Sequence, residues 1–338
     1  MIKKIKSQFN VNKVALVLTI VSFGAIGYVL LRGSLAADSI VDVQAENMTA
    51  TGGASTGSDT NASSGQYFKF GSASGSLEPI LPNFTGTCPT IKSGQVSFPS
   101  DSNRVVHFRM DSNASTKGPL IFLWHGQQTA DTTDSEANSI GNNLLGSTTV
   151  TNLVNAGAVL AIMKMHTAST WDNASSWSTS NRDLNLVDAV TACANNQGHI
   201  DSKRIHSIGM SWGGYQTSHL AFLRANYIAS AVVMSGGFTG SPPSSAIQRP
   251  ENKFATITTL GSTSAGELQV VVSPLQGYRD YAKSAGHFVV HCQHSGGHIP
   301  ISGGGPMHQR FFQDHYYGVP KAYTTLPVPP FLSSCSIY

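Results

Sequence analysis

Lys203-Arg204-Ile205-His206-Ser207-Ile208-Gly209-Met210-Ser211-Trp212-Gly213-Gly214 closes on a Gly-x-Ser-x-Gly pentapeptide and opens into a helix-like stretch from Tyr215 to Ala225. Strand, tight turn and helix in that order form the setting called a nucleophile elbow, in which a serine hydroxyl is lifted clear of a sheet. So tight a turn strains the serine backbone, and side chains at 209 and 213 would meet the flanking strand and helix, so glycine stands at both. The pentapeptide alone is weak in a chain carrying 33 glycines. A serine that merely caps a helix starting at Trp212 is the plainer reading, and the partners elsewhere in the chain decide between them.

Outward from the elbow, apolar strand-like runs alternate with amphipathic segments. Pro119 to Trp124, Ala158 to Met163, Ile205 to Met210, Ile228 to Met234, Phe254 to Leu260 and His287 to Cys292 read as strands. Leu184, Val187, Val190 and Ala194 recur at helical spacing between Asn181 and Asn196, Tyr278 to Ala285 reads as a helix, and Pro306 to Tyr317 as a last one, with Pro in its first turn and Gly318 beyond its end. Strands alternating with helices predict an α/β fold, a mostly parallel, doubly wound sheet with helices on both faces. The region from 88 to 338 is long enough for one domain with a sizeable core.

The front of the chain concerns location. Lys3, Lys4, Lys6 and Lys13 precede an apolar run from Val14 to Leu31, and Ser34-Leu35-Ala36 suits a small-residue cleavage site. Residues 1–36 are therefore expected to be a signal peptide or an uncleaved signal-anchor, with membrane attachment through 14–31 in the second case. Either way the bulk of the chain is expected outside the cytoplasmic membrane, secreted or anchored on its outer face. Five of the 21 Lys and Arg residues lie before residue 37, leaving 16 against 18 Asp and Glu. No basic patch argues for nucleic acid. Only 12% of residues are charged, and Ser, Thr, Asn and Gly carry the surface instead.

Residues 37–87 are rich in Gly, Ser, Thr and Ala and read as a linker. Within them Val43-Gln44-Ala45-Glu46 and Ser64 to Phe70 resemble the opening strands of β-sandwich carbohydrate-binding modules, too short for a whole module. Four cysteines, Cys88, Cys193, Cys292 and Cys335, are compatible with disulfides in an exported chain. Cys88–Cys335 would tie together the ends of the folded region, leaving Cys193–Cys292, although three connectivities are open. Five Asn-x-Ser/Thr sequons, at Asn47, Asn61, Asn83, Asn113 and Asn173, matter only in a glycosylating host.

Asp201 to His206 running into the Ser211 elbow, Trp124-His125-Gly126 at a strand end and Gly296-Gly297-His298 near the C-terminus together resemble α/β-hydrolases. The resemblance is closest to the secreted polyhydroxybutyrate depolymerase and feruloyl esterase-like group and covers roughly residues 88–335. It implies a cofactor-free serine esterase acting on ester or polyester substrates. Ser211 would be the nucleophile and His298 its base, with His294 the runner-up. A metal site from His291, His294 and His298 has suitable spacing but no supporting carboxylate or cysteine cluster, and none is expected.

Where the group usually carries Gly-x-x-Asp, this chain reads Gly261 to Glu267 without an aspartate. Glu267 is therefore expected as the acid, with Asp280 the alternative. The backbone N–H groups of Trp212 and Gln127 would form an oxyanion hole. His125, Trp171 and Trp177 are expected at the substrate, the two tryptophans either as an aromatic platform or as plain loop anchors. The missing aspartate and the module-like fragment leave one other reading, a weakly active or non-catalytic cell-surface binding protein on a hydrolase scaffold.

Overall fold

The computed structural model describes residues 54–58, 66–70, 77–99, 103–111, 116–127, 134–165, 171–172, 177–319, 323, 325–326 and 329–338. The expected leader, including 14–31, lies outside them, as do the sequons at Asn47, Asn61, Asn113 and Asn173. Among the described residues no helix is long and apolar enough to cross a membrane.

The chain divides into Met1–Gly75 and Ser76–Tyr338. In the first unit β1 (Ala54–Ser58) pairs antiparallel with β2 (Gln66–Phe70), Ala54 opposite Phe70.

The second unit is built on a nine-stranded sheet. Its strands are β3 (Gly94–Phe98), β4 (Arg104–Arg109), β5 (Gly118–Trp124), β6 (Val159–Met163), β7 (Ile200–Met210), β8 (Ser230–Met234), β9 (Ala255–Leu260), β10 (Phe288–Gln293) and β11 (Cys335–Ile337), in spatial order β11-β10-β9-β8-β7-β5-β6-β4-β3. The six strands from β10 to β6 run parallel, and β11, β4 and β3 add antiparallel edges. Parallel strands need crossovers. These carry α1 (Asp134–Leu145), α2 (Ser147–Asn155), α3 (Arg182–Asn196), α4 (Trp212–Leu223) and α5 (Gln269–Ser284), while α6 (Gly304–Asp314) follows β10.

Continuous apolar runs are required because both faces of the sheet are covered. On β5, Leu120, Phe122 and Trp124 enter one core with Leu184, Val187 and Val190 of α3, whereas Ile121 and Leu123 enter the other with Ile140 of α1, Val150 of α2 and Phe311 of α6. The same alternation places Ala231 and Val233 of β8 against Phe222 of α4 and Leu275 of α5, and Val232 and Met234 on the opposite face. So α3, α4 and α5 cover one face, and α1, α2 and α6 the other. Helix α3 starts where the sequence marks it, because the Asn181 side chain accepts from the Leu184 N–H at 2.9 Å. Helix α5 begins well before Tyr278. Val270, Val271, Val272 and Pro274 read against a helix, yet the chain is helical through them, with Val271 and Leu275 in the core.

Part of the expected linker belongs to the folded domain. The Ile80 N–H donates to Asn226 O, Lys203 pairs with Glu78, and Leu81 and Phe84 pack on the core. The disulfides also differ from the expected pairing, being Cys88–Cys193 and Cys292–Cys335. Cys335 lies on β11 directly opposite Cys292 on β10, and Cys193 lies on α3. Cys88 leads into β3 at the far edge of the sheet, roughly 40 Å from β11 at the usual strand spacing. A Cys88–Cys335 bridge would have to span the whole sheet.

Candidate active site

The carboxyl ends of parallel strands form the edge where open α/β sheets gather reacting groups. Here His125-Gly126 follows β5, Ser211 follows β7, Ser235 follows β8, the Gly261–Glu267 loop follows β9, and the loop to His298 follows β10.

Ser211 stands between β7 and α4 at φ 57°, ψ −124°, a conformation L-residues rarely adopt. Its N–H donates to Met234 O at 2.9 Å and its carbonyl accepts from Tyr215 N–H at 3.0 Å, which pins the turn from both sides. The glycines are there for space. A Cβ at Gly209 would lie 2.2 Å from Gly213 O, and one at Gly213 would lie 2.1 Å from Trp124 O. The Ser211 side chain meets Gly126, where a Cβ would come within 3.8 Å of its Oγ. Trp212 is the first residue of α4, so its N–H is one of the donors that a helix start leaves without an intrahelical acceptor. Gln127 is exposed just beyond Gly126.

The acid and the imidazole meet. His298 Nδ1 and Glu267 Oε1 are 2.6 Å apart, and the Glu267 side chain is buried. The same oxygen accepts from Leu268 N–H at 3.0 Å, while Oε2 accepts from Ser235 Oγ at 2.6 Å and from Gly261 N–H at 2.8 Å. Burial pushes the carboxyl upward, but the bonds from Ser235, His298, Gly261 and Leu268 outweigh it and hold its pKa below the ordinary value. An ionised carboxylate can only accept, so His298 Nδ1 donates the hydrogen between them and Nε2 is left for another partner. Gly261 has no room for a side chain, since a Cβ there would lie 2.2 Å from Gly297 O.

The alternatives fall elsewhere. Asp280 is exposed on α5 and bonded to Arg279 and Tyr338. His294 is half-buried beside the site, and its pKa is lowered by burial against the opposing pull of Glu267. His291 Nδ1 lies 3.0 Å from Thr258 Oγ1, between β10 and β9. Among the described residues no group of three or more His, Cys, Asp or Glu side chains could hold a metal ion.

The three side chains expected at the substrate behave differently from one another. His125 lines a cleft of about 1020 Å³ that also meets Met210 and Ile299, the immediate neighbours of Ser211 and His298. Its Nδ1 donates to Gly126 O at 2.7 Å, and burial lowers its pKa. Trp171 is not a platform. It is 1% exposed, stands edge-on to Trp124 and donates its indole N–H to His125 O at 3.0 Å, so it props the His125–Gly126 turn from behind. Trp177 is half-buried against His219, Phe222 and Phe238, the loop-anchor alternative. Sequence reading missed Ser235. It is buried at φ 44° and clamps the acid, and its only signal is a Ser-Gly-Gly sequence directly after β8.

A parallel sheet wrapped on both faces, an elbow serine, and an acid and a histidine on later strand ends in the order Ser, Glu, His define an α/β-hydrolase fold. Among solved structures it is similar to native pOPH, 13% identical with a TM-score of 0.54, over 75% of this chain and 96% of that one. It is likewise similar to native sOPH, 14% identical with a TM-score of 0.54, over 75% and 98%. Identities this low establish shared architecture. No protein-family model and no curated protein sequence matches the chain.

Proposed function

We propose that this chain is an exported serine esterase that hydrolyses carboxylic esters through an acyl-enzyme. The observation that carries the reading is the buried, four-bonded Glu267 carboxylate on His298 Nδ1, on the same sheet edge as an elbow serine held at φ 57°. In this reading His298 Nε2 takes the proton of Ser211 Oγ as that oxygen attacks the ester carbonyl, and Glu267 stabilises the imidazolium that forms. The N–H groups of Trp212 and Gln127 receive the developing oxyanion. Collapse of the tetrahedral intermediate expels the alcohol, which takes the proton from His298. Water, activated by the same histidine, then releases the acid and restores Ser211. Polyester, hydroxyalkanoate and aromatic or feruloyl-type esters are the candidate substrates. The two disulfides support an oxidising location outside the cytoplasm.

The test is hydrolysis of a short-chain nitrophenyl ester by wild type and Ser211→Ala. Wild type is expected to turn it over and the folded variant to lose the activity. Equal rates would end the reading. The non-catalytic alternative rested on the missing aspartate and the module-like fragment, and Glu267 bonded to His298 supplies a carboxylate where the aspartate is missing.

A further inference from the structure

The turn after β5 carries two successive peptide groups, and each carbonyl has a side-chain donor. His125 O accepts the Trp171 indole N–H at 3.0 Å, and Gly126 O accepts the His125 Nδ1–H at 2.7 Å. A trans peptide is planar, with its C=O and N–H on opposite sides, so a carbonyl held in place aims the N–H that follows it. The first bond thereby directs the Gly126 N–H, and the second directs the Gln127 N–H. Gly126, between them, supplies no restraint of its own. A Cβ there would lie 3.3 Å from the Ser211 Cβ, and a residue without a side chain leaves the two peptide planes free to turn about it.

Trp171 holds both planes. Its ring is buried, stands edge-on to Trp124 at 4.8 Å and lies 5.0 Å from the His125 ring, so it backs the imidazole as well as the carbonyl. The following residue ties it down. Asp172 N–H donates to Asp183 Oδ2 at 2.6 Å, the Asp172 carboxylate accepts from Arg182 N–H at 3.2 Å, and Asp183 pairs with Arg104 at 2.7 Å. Arg182 and Asp183 open α3, and Arg104 opens β4, so two rigid elements anchor the indole. A phenyl ring would fill much of the same space but would leave His125 O without its donor.

Resting on the esterase reading, we propose that Trp171 is a positioning residue of that reaction, whose indole N–H on His125 O sets the aim of the Gln127 backbone donor at the developing oxyanion. Such a donor acts when it lies about 2.7–3.1 Å from the oxygen as it charges. The uncharged ester carbonyl of the bound substrate gains less from it, so a slackened turn slows the chemical step more than it weakens binding. Trp171 is buried behind the turn and acts through His125.

The experiment replaces Trp171 with β-(3-benzothienyl)alanine, which keeps the fused ring and puts sulfur in place of the N–H, and separately with phenylalanine. Hydrolysis of a short-chain nitrophenyl ester is measured beside inhibition by an alkylboronic acid, whose tetrahedral adduct on Ser211 places an oxygen in the oxyanion hole. Both variants are expected to lose about tenfold or more in kcat while KM stays within about twofold. The boronic acid Ki should rise by about the fold lost in kcat/KM. A benzothienyl variant with wild-type kcat, or one whose loss lies in KM alone, overturns the inference and leaves the esterase reading intact. So does a fall in kcat with the boronic acid Ki unmoved, which would mark a purely structural role. Should the phenylalanine variant fail to fold, the benzothienyl variant, which preserves the buried volume, decides. Wild type without turnover strikes the esterase reading itself, and this inference with it.

Discussion

At the scale of residues, the proposed acid of the site is a glutamate rather than the shorter aspartate, and its surroundings compensate for the longer arm. Gly261, Leu268 and Ser235 fix both oxygens, so the extra methylene adds little freedom at His298. Glu267→Gln is expected to lower kcat by orders of magnitude with a small change in stability, because an amide holds the imidazole less well and cannot balance its charge. Asp280→Asn should leave turnover unchanged, since Asp280 is engaged with Arg279 and Tyr338 on the surface. Steady-state kinetics on both variants checks this, and loss of activity in the Asp280 variant would move the acid to α5. Ser235→Ala removes a bond to the charged form of Glu267, so the carboxyl pKa rises. A depressed carboxyl contributes stability above its unfolded pKa and loses it as pH falls through the folded one. The variant should therefore be less stable by about 2 kcal/mol at pH 7, a gap that narrows as falling pH protonates the carboxyl. Urea denaturation of wild type and variant at pH 7 reads it directly.

At the scale of elements, the legible parts were those whose sequence carries one dominant signal. Strands β5, β6 and β8 are buried on both faces and read as nearly continuous apolar runs, β9 is buried and rich in β-branched residues, and α3 has a cap and a helical period. The antiparallel edges β3 and β4 carry only a short alternation, Val96 with Phe98 and Val106 with Phe108, amid polar residues, and went unread. Helices α1 and α2 are rich in Asn, Ser and Thr, and their few apolar side chains become a core face only once the sheet is present. Cysteine pairing was illegible for a related reason. It depends on which strand occupies each edge, and β11 is three residues long. Cys335→Ser would free β11 from β10 immediately before the loop that carries His298. The 43-residue separation corresponds to about 4 kcal/mol in the chain-entropy model. The variant is expected to show a lower midpoint in thermal unfolding and weaker esterase activity than wild type. Mass mapping of the unreduced protein should recover Cys88–Cys193 and Cys292–Cys335 linked peptides, and a Cys88–Cys335 peptide would contradict the topology.

At the scale of the whole molecule, histidine is distributed in a way no local motif reveals. His298 is the proposed base, whereas His219, His287, His291, His308 and His315 serve the architecture, each lowered by burial to about 4. Three of them pack against aromatic side chains, His219 on Trp177 at 4.3 Å, His287 on Phe254 at 3.9 Å and His315 on Phe311 at 4.2 Å. All five are neutral in the fold at pH 6, while in the unfolded chain each has a pKa of about 6.5 and takes up a proton. Between about pH 6.5 and 4 the unfolded state therefore binds more protons, and the stability of the fold rises with pH across that window. The slope approaches five protons at its steepest, enough to consume a net stability of about 5–15 kcal/mol within a couple of pH units. Glu267 acts in the same direction but at lower pH, because its own pKa is depressed. The protein is expected to lose its fold cooperatively on acidification near pH 5. Unfolding free energies at pH 7, 6 and 5 would show a fall much steeper than one proton, and His308→Gln should flatten it by close to one proton. A stability that stays level from pH 7 to pH 5 would mean that these histidines are solvated or paired in solution, and that the two cores are looser than their packing implies.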